Sequence, residues 1–163
     1  MLNAARYVKI QYELKMSVNK FGVDFNLINK NRRFMRKTDI AAVPILSLAY
    51  LGDSVFDVLV RTYLVSSGKY GPSVIHKASL SYVPAPRQAQ FAKELMQHLT
   101  EEEAGVYRRG RNAKVGSVPH NSTVEEYHSA TGLECLFGYL YLKGEEDRID
   151  ELFSMILGEE NAI

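Results

Sequence analysis

The run Leu48-Ala49-Tyr50-Leu51-Gly52-Asp53-Ser54-Val55-Phe56-Asp57 restricts what this chain can become more than any other stretch. It is apolar almost throughout, yet it carries two carboxylates four residues apart, Asp53 and Asp57. In a helix that spacing sets both acids on one face, with Arg61 one further turn along. A charge inside such a run is costly unless it is paired, solvated or bound to a metal. What these acids face is the question put to the rest of the chain.

The surrounding pattern is helical. From Ile45 to Ser67 the spacing predicts a long helix, with Leu48, Leu51, Val55, Val58, Leu59 and Tyr63 broadly on one side and Gly68 closing it. Thr38 or Asp39 can cap a first turn before it, and Pro44 suits a helix start. A short helix is expected over Ser73 to Ser81, bearing His76 and Lys77, and another from about Pro86 to Leu99. Thr100 with Glu103 forms a capping box for the next helix, whose first turn is acidic. Arg108-Arg109-Gly110-Arg111-Asn112-Ala113-Lys114-Val115-Gly116 then has no apolar period and reads as a basic loop, with Pro119 and Asn121 prolonging the irregularity. Ser122 or Thr123 can cap a dense apolar helix from Val124 to Lys143, ended by Gly144, and Glu145 to Leu157 makes a last amphipathic helix. No alternating strand pattern or internal repeat occurs, so the fold class is all-α.

At 163 residues the chain is long enough for one domain with a substantial core. Its single cysteine, Cys135, excludes an internal disulfide, and a reducing cytoplasm is the economical inference. No apolar run approaches the roughly 20 residues of a membrane helix, and no apolar signal core follows the first Met. The net charge of +1 conceals an asymmetry: residues 1–38 hold nine basic and two acidic side chains, the remainder 11 and 17. Within that basic head, Lys30 to Lys37 is a cluster that reads either as an arm touching phosphates or as a mobile tail, residues 4–17 allow a short helix, and Met35 is a plausible alternative start.

Two helices are apolar enough to form the central pair of a bundle, and each contains an acid that periodicity would not put there. Asp53 follows a glycine in the first; Glu134 stands among Leu133, Cys135, Leu136 and Phe137 in the second. If the helices pack together, the acids converge into the hard-oxygen set that Mg²⁺ accepts, waters completing its shell. The bland reading is that Asp53 caps a turn and Glu134 pairs with a buried Arg or Lys. Arg109, Arg111 and Lys114, spaced by small residues, suit a flexible segment that follows a phosphate backbone, or else a solvated turn. His76, Lys77 and Arg87 form a fainter basic group that is equally readable as surface. His120 and His128, without an acid or Cys at suitable spacing, make a poor transition-metal site.

Leu48 to Phe56 looks like the signature helix of the ribonuclease III catalytic domain. Arg109-Gly110-Arg111-Asn112-Ala113-Lys114, followed by Asn121, Tyr127, Ser129-Ala130-Thr131, Gly132-Leu133-Glu134 and Gly138-Tyr139-Leu140, resembles the short branch called Mini-ribonuclease III. The resemblance covers roughly Leu46 to Leu157. It implies a helical, homodimeric ribonuclease III-like catalytic domain over 39–158, between a basic extension (1–38) and a short tail (159–163). It also implies cleavage of double-stranded RNA with Mg²⁺ (Mn²⁺ as substitute), and a role in maturing the large-subunit (23S) ribosomal RNA precursor, with a ribosomal protein as a candidate presenter of the substrate. By position, Asp53 and Glu134 correspond to catalytic metal ligands, with Asp57 and Thr131 supporting. The parent family's signature glutamate is Ala49 here and its second-motif aspartate is Thr131, a thinning that leaves the number of metals open. No double-stranded-RNA-binding domain is expected after Leu157, so RNA grip falls to Arg109, Arg111, Asn112 and Lys114, with His76 and Lys77. The lost carboxylates keep open a non-catalytic RNA-binding relative, and a helical protein-interaction module is a third reading.

Overall fold

The computed structural model describes residues 39–114, 116 and 120–158. The expectations for the basic head, including Met35 and the Thr38 cap, for Val115 and Pro119, and for the 159–163 tail lie outside these residues.

Among the described residues six α-helices follow in order: α1 (Ile45–Ser66), α2 (Pro72–Ser79), α3 (Ala85–Leu95), α4 (Glu101–Arg111), α5 (Val124–Lys143) and α6 (Glu146–Ile156), with 3₁₀ turns at Ile40–Ala42 and Met96–His98. No strand occurs among the described residues, as expected of an all-α chain. The local causes are legible. Asp39 accepts from the Ala41 amide, and Pro44 stands at the entrance of α1. Capping boxes start α4 (Thr100 with Glu103) and α5 (Thr123 with Glu126), each satisfying two otherwise orphaned amides. Gly144 ends α5 at φ 83°, a left-handed conformation that favours glycine.

Helix α5 is the axis of the bundle. From Ala130 to Leu140 every residue except Glu134 is buried, the signature of a helix enclosed on all sides. It packs most extensively on α1, then on α4 and α3, and more lightly on α6. Phe56 of α1 meets Phe137 and Phe153 edge-on, at 5.3 and 5.9 Å between ring centroids. Helix α3 offers Gln88, Phe91, Ala92 and Leu95, and α6 offers Ile149, Leu152, Phe153 and Ile156, each a stripe at helical spacing. The start of α4 is tied to α6 by Arg148, which donates to both carboxylate oxygens of buried Glu103 at 2.9 Å and to the His98 carbonyl at 2.6 Å.

The buried face of α1 differs from the expected one. It consists of Leu48, Ala49, Gly52, Phe56, Leu59, Val60 and Leu64, while Val58 is exposed and Leu51, Val55 and Tyr63 are only partly covered. The expectation followed the bulky side chains alone, but where α1 crosses α5 the small residues Ala49 and Gly52 belong to the buried face as well. A Cβ on Gly52 would stand 1.7 Å from the Glu134 carbonyl oxygen, and one on Gly138 would stand 2.1 Å from that of Leu48. Backbone therefore rests on backbone where the two helices cross.

The basic segment also differs. Arg108, Arg109 and Arg111 belong to the last turn of α4, and the chain leaves the helix only at Asn112. Basic side chains are favoured there by the negative end of the helix dipole. Gly110 supplies close packing rather than flexibility, since a Cβ on it would lie 2.5 Å from the Cys135 Sγ.

The contact is open to a direct test. Gly52→Ala must push α1 off α5 and is expected to lower stability by about 3 kcal/mol or more, at the upper end of overpacking costs. Gly105→Ala, where an added Cβ meets nothing within 4 Å, should be neutral or stabilising by roughly 0.5–1 kcal/mol. Thermal unfolding followed by circular dichroism compares the two.

Candidate active site

Two helices supply the acids, and the glycine crossing sets their separation. Gly52 lies on the backbone of Glu134, so its neighbour Asp53 is held beside the Glu134 side chain. The charge of Asp53 bears on Glu134. Burial, then the charge of Asp53, pushes the Glu134 carboxyl up to about 8, with only the Gln88 amide opposing. Asp53 is raised as well, first by desolvation and then by Asp57. Among the described residues neither acid has a Lys or Arg partner, so the expectation that Glu134 pairs with a buried cation is not met there.

Asp57 does have one: Arg61 Nε lies 2.7 Å from its carboxylate. Its influence on the pair is its field on Asp53. Thr131 is buried and donates its hydroxyl to the Tyr127 carbonyl at 2.9 Å, so that oxygen serves its own helix. Ala49 is buried in the core. The two positions at which the resemblance would set further carboxylates are thus both enclosed, and no group of three or more potential metal-binding side chains occurs among the described residues.

The basic residues gather elsewhere. Arg109, Arg111, Asn112 and Lys114 are exposed at the end of α4 and just beyond it. Arg111 has one acidic neighbour, Glu125, at 3.7 Å, an exposed pair of little strength. His128 donates from Nδ1 to the Arg111 carbonyl at 2.6 Å, which fastens the end of α4 to α5 and gives this histidine a task other than metal binding. His76 and Lys77 are exposed on the last turn of α2, which packs on α1, and neither enters the electrostatics of the acid pair. Arg87 is occupied by the Ser81 carbonyl (3.0 Å) and Gln90 (2.8 Å).

One residue at the site was not foreseen. Gln88 is 2% exposed, and its amide bears on Glu134. Its signal was available: it occupies the first position of the buried stripe Gln88-Phe91-Ala92-Leu95, and a polar side chain on such a stripe wants a partner.

A convergent acid pair on the central helices of an all-α bundle, with an arginine-rich helix end nearby in sequence, narrows the comparison with known proteins. The Ribonuclease III domain family matches residues 46–145. The chain belongs to the ribonuclease III family. Within it, the chain is 37% identical over 122 residues to Mini-ribonuclease 3 of Clostridium tetani, covering 74% of this chain and 81% of that one. It is 42% identical over 133 residues to Mini-ribonuclease 3 of Brevibacillus brevis, covering 77% and 99%. A crystal structure of a Fusobacterium nucleatum protein superposes with a TM-score of 0.68 at 30% identity, covering 75% of this chain and 99% of that one. The chain is accordingly an endoribonuclease of this family and of its Mini branch.

The donor chemistry fits the hard divalent cation that the resemblance implies. Two carboxylates, both burdened by burial and like charge, lack a side-chain counter-ion among the described residues, and Mg²⁺ commonly takes one or two carboxylates and keeps its waters. That burden has a measurable consequence. Without a divalent cation, folded protein keeps the Glu134 proton up to about pH 8, whereas the unfolded chain has released it near the ordinary glutamate value. Stability then falls as pH rises through that window. Glu134→Gln should remove the fall and raise the thermal midpoint at pH 8 in chelator, by the equivalent of roughly 1–3 kcal/mol. The carboxylates lowered by their partners, Glu102, Glu103 and Glu126, change stability below the ordinary glutamate value and with the opposite sign, so scans between pH 6 and 8.5 isolate the effect.

Proposed function

We propose that this chain is a Mg²⁺-dependent endoribonuclease, with Mn²⁺ as a substitute cation, that cuts double-stranded RNA and matures the large-subunit (23S) ribosomal RNA precursor in the cytoplasm. Family membership supports the reaction class. The observation that carries the site assignment is the acid pair Asp53 and Glu134, the charge of Asp53 bearing on Glu134, with both left without a basic partner among the described residues. These two side chains would hold the cation. Once bound, the cation would activate a water and offset the charge that develops on the phosphodiester oxygens.

The protein's own part is placement and exclusion. Gly52 and Gly138 bring the two helices that carry the acids into backbone contact. Arg109, Arg111, Asn112 and Lys114 offer cations and a polar amide to phosphates, and His76 and Lys77 extend the basic surface on α2. Contacts of this kind read the regular backbone and shape of an A-form duplex, not its bases. A homodimer fits the reading, because a twofold assembly presents one acid pair to each strand. Support for it comes from α1, where Leu46, Tyr50, Val58 and Val65 leave an apolar face in solvent, Tyr50 at 83% exposure. A ribosomal protein that presents the precursor is compatible with this compact basic surface.

The alternative is a non-catalytic RNA-binding relative used in ribosome assembly. Ala49 and Thr131 motivate it; the retained Asp53 and Glu134 argue for catalysis.

Incubation of wild type with structured precursor RNA, with and without Mg²⁺, followed by end mapping, tests the reading. Asp53→Asn and Glu134→Gln should each lose at least about 100-fold in cleavage rate while still binding RNA, and wild-type rates in either would reject the site. The alternative predicts RNA binding without cleavage even in wild type. Replacing Arg109, Arg111 and Lys114 together with Ala should preserve the helical spectrum, weaken RNA binding and flatten its salt dependence by about one unit of log–log slope per lost phosphate contact. An unchanged slope would move RNA recognition off this helix end.

A further inference from the structure

Gln88 presents a polar group that the fold alone does not explain. It is 2% exposed, in the first turn of α3, which packs on α5. Its Nε2 donates to the Val83 carbonyl at 3.1 Å, which fixes the amide's orientation, since the flipped form would set oxygen against oxygen. The same amide faces the Glu134 carboxyl. Its Oε1 is the one buried side-chain oxygen or nitrogen without a hydrogen-bond partner among the described residues. A buried amide oxygen left unpaired is destabilising. A leucine of similar volume, matching Phe91, Ala92 and Leu95 on that stripe, would avoid the cost. The position is therefore occupied by a residue that packing does not favour, beside a carboxyl that lacks a basic partner among the described residues.

We propose that Gln88 is a positioning residue for the acid pair, an inference that rests on the cation-dependent reading above. Val83 clamps the amide; the amide NH₂ orients the Glu134 carboxylate towards Asp53; Oε1 is an acceptor held ready for a water of the filled site. The geometry substitutes for something missing. With Ala49 and Thr131 at the positions of the two further acids, the pair has no third carboxylate to orient Glu134, and a neutral amide does so without adding like charge. Groups of this kind are typically worth 10–100-fold in metal affinity or activity.

The test uses full-length protein carrying Gln88→Leu, with Gln88→Met as a second apolar variant of unbranched shape. Thermal midpoints are recorded across Mg²⁺ and Mn²⁺ titrations without RNA, and kcat and KM are measured on one structured duplex RNA. Expected is a cation-free midpoint equal to or above wild type, a 10–100-fold higher cation concentration for half-maximal thermal shift, and a lower kcat at fixed Mg²⁺ with unchanged KM. A wild-type cation midpoint with wild-type kcat in either variant would overturn the proposal and leave Gln88 a packing residue. Failure of both variants to fold without cation would overturn it as well, by showing that the amide is needed for the core itself. If wild type shows no cation-induced shift, the cation-dependent reading falls, and this inference falls with it. A shift in wild type that both variants share sinks this inference alone.

Discussion

Backbone contact between α1 and α5 is the constraint on which the rest of this structure depends. Two helices whose surfaces are ridged with large side chains stay about 8–10 Å apart. Here Gly52 and Gly138 remove the ridges on both sides, and the carbonyls of Glu134 and Leu48 occupy the space that Cβ atoms would need. That approach fixes more than packing. Asp53 is the next residue after Gly52, and Glu134 is the residue whose backbone Gly52 touches, so the depth of the crossing is also the separation of the acids. The site is not added to a finished bundle; it is a by-product of how the bundle's two central helices meet.

The same closeness sets the electrostatics. A carboxyl taken from water and set beside a second one resists ionisation, and Glu134 shows both effects, burial foremost. Other acids in the core are treated differently. Glu103 is buried too, but Arg148 grips both its oxygens, and with the Thr100 amide this more than offsets a burial that would otherwise raise it. One small bundle thus holds both a compensated and an uncompensated acid, and the uncompensated one is the proposed ligand. Burial alone does not distinguish them.

Most of the architecture was legible in the chain because its determinants are local. Capping at Thr100 and Thr123, the glycine after Lys143, and the apolar spacing of α5 and α6 each specify an element without reference to the others. What was not legible depended on small residues. The α1 stripe was drawn through Leu51, Val55 and Val58, whereas α5 meets Ala49 and Gly52, because hydrophobic counting weights bulk and this contact requires its absence. Gly110 misled in the same way: it reads as a hinge in a basic loop, but it is a flat spot on which α4 and α5 touch, and it carries the helix past the arginines. Of the site, Asp53 and Glu134 stood out as acids in apolar runs. Gln88 did not, because a glutamine carries no charge to make its burial conspicuous.

The misread glycine connects the two halves of the surface chemistry. Cys135, adjacent to Glu134, is in contact with Gly110 of α4, and Glu134 itself is in contact with Gly52 of α1. One turn of α5 therefore registers the acid pair on one side and the arginine-bearing end of α4 on the other, with His128 holding the Arg111 carbonyl a further turn or two back along the same helix. In the proposed reading, an acidic centre repels the phosphates it would act on, and a basic surface tethered by a mobile loop would hold them at no defined distance. Arginines carried on the end of a helix, itself seated by backbone contact on the residue next to Glu134, hold positive charge at a fixed distance from the acids. On that reading, rigid attachment would let opposite charges serve one substrate without collapsing onto each other.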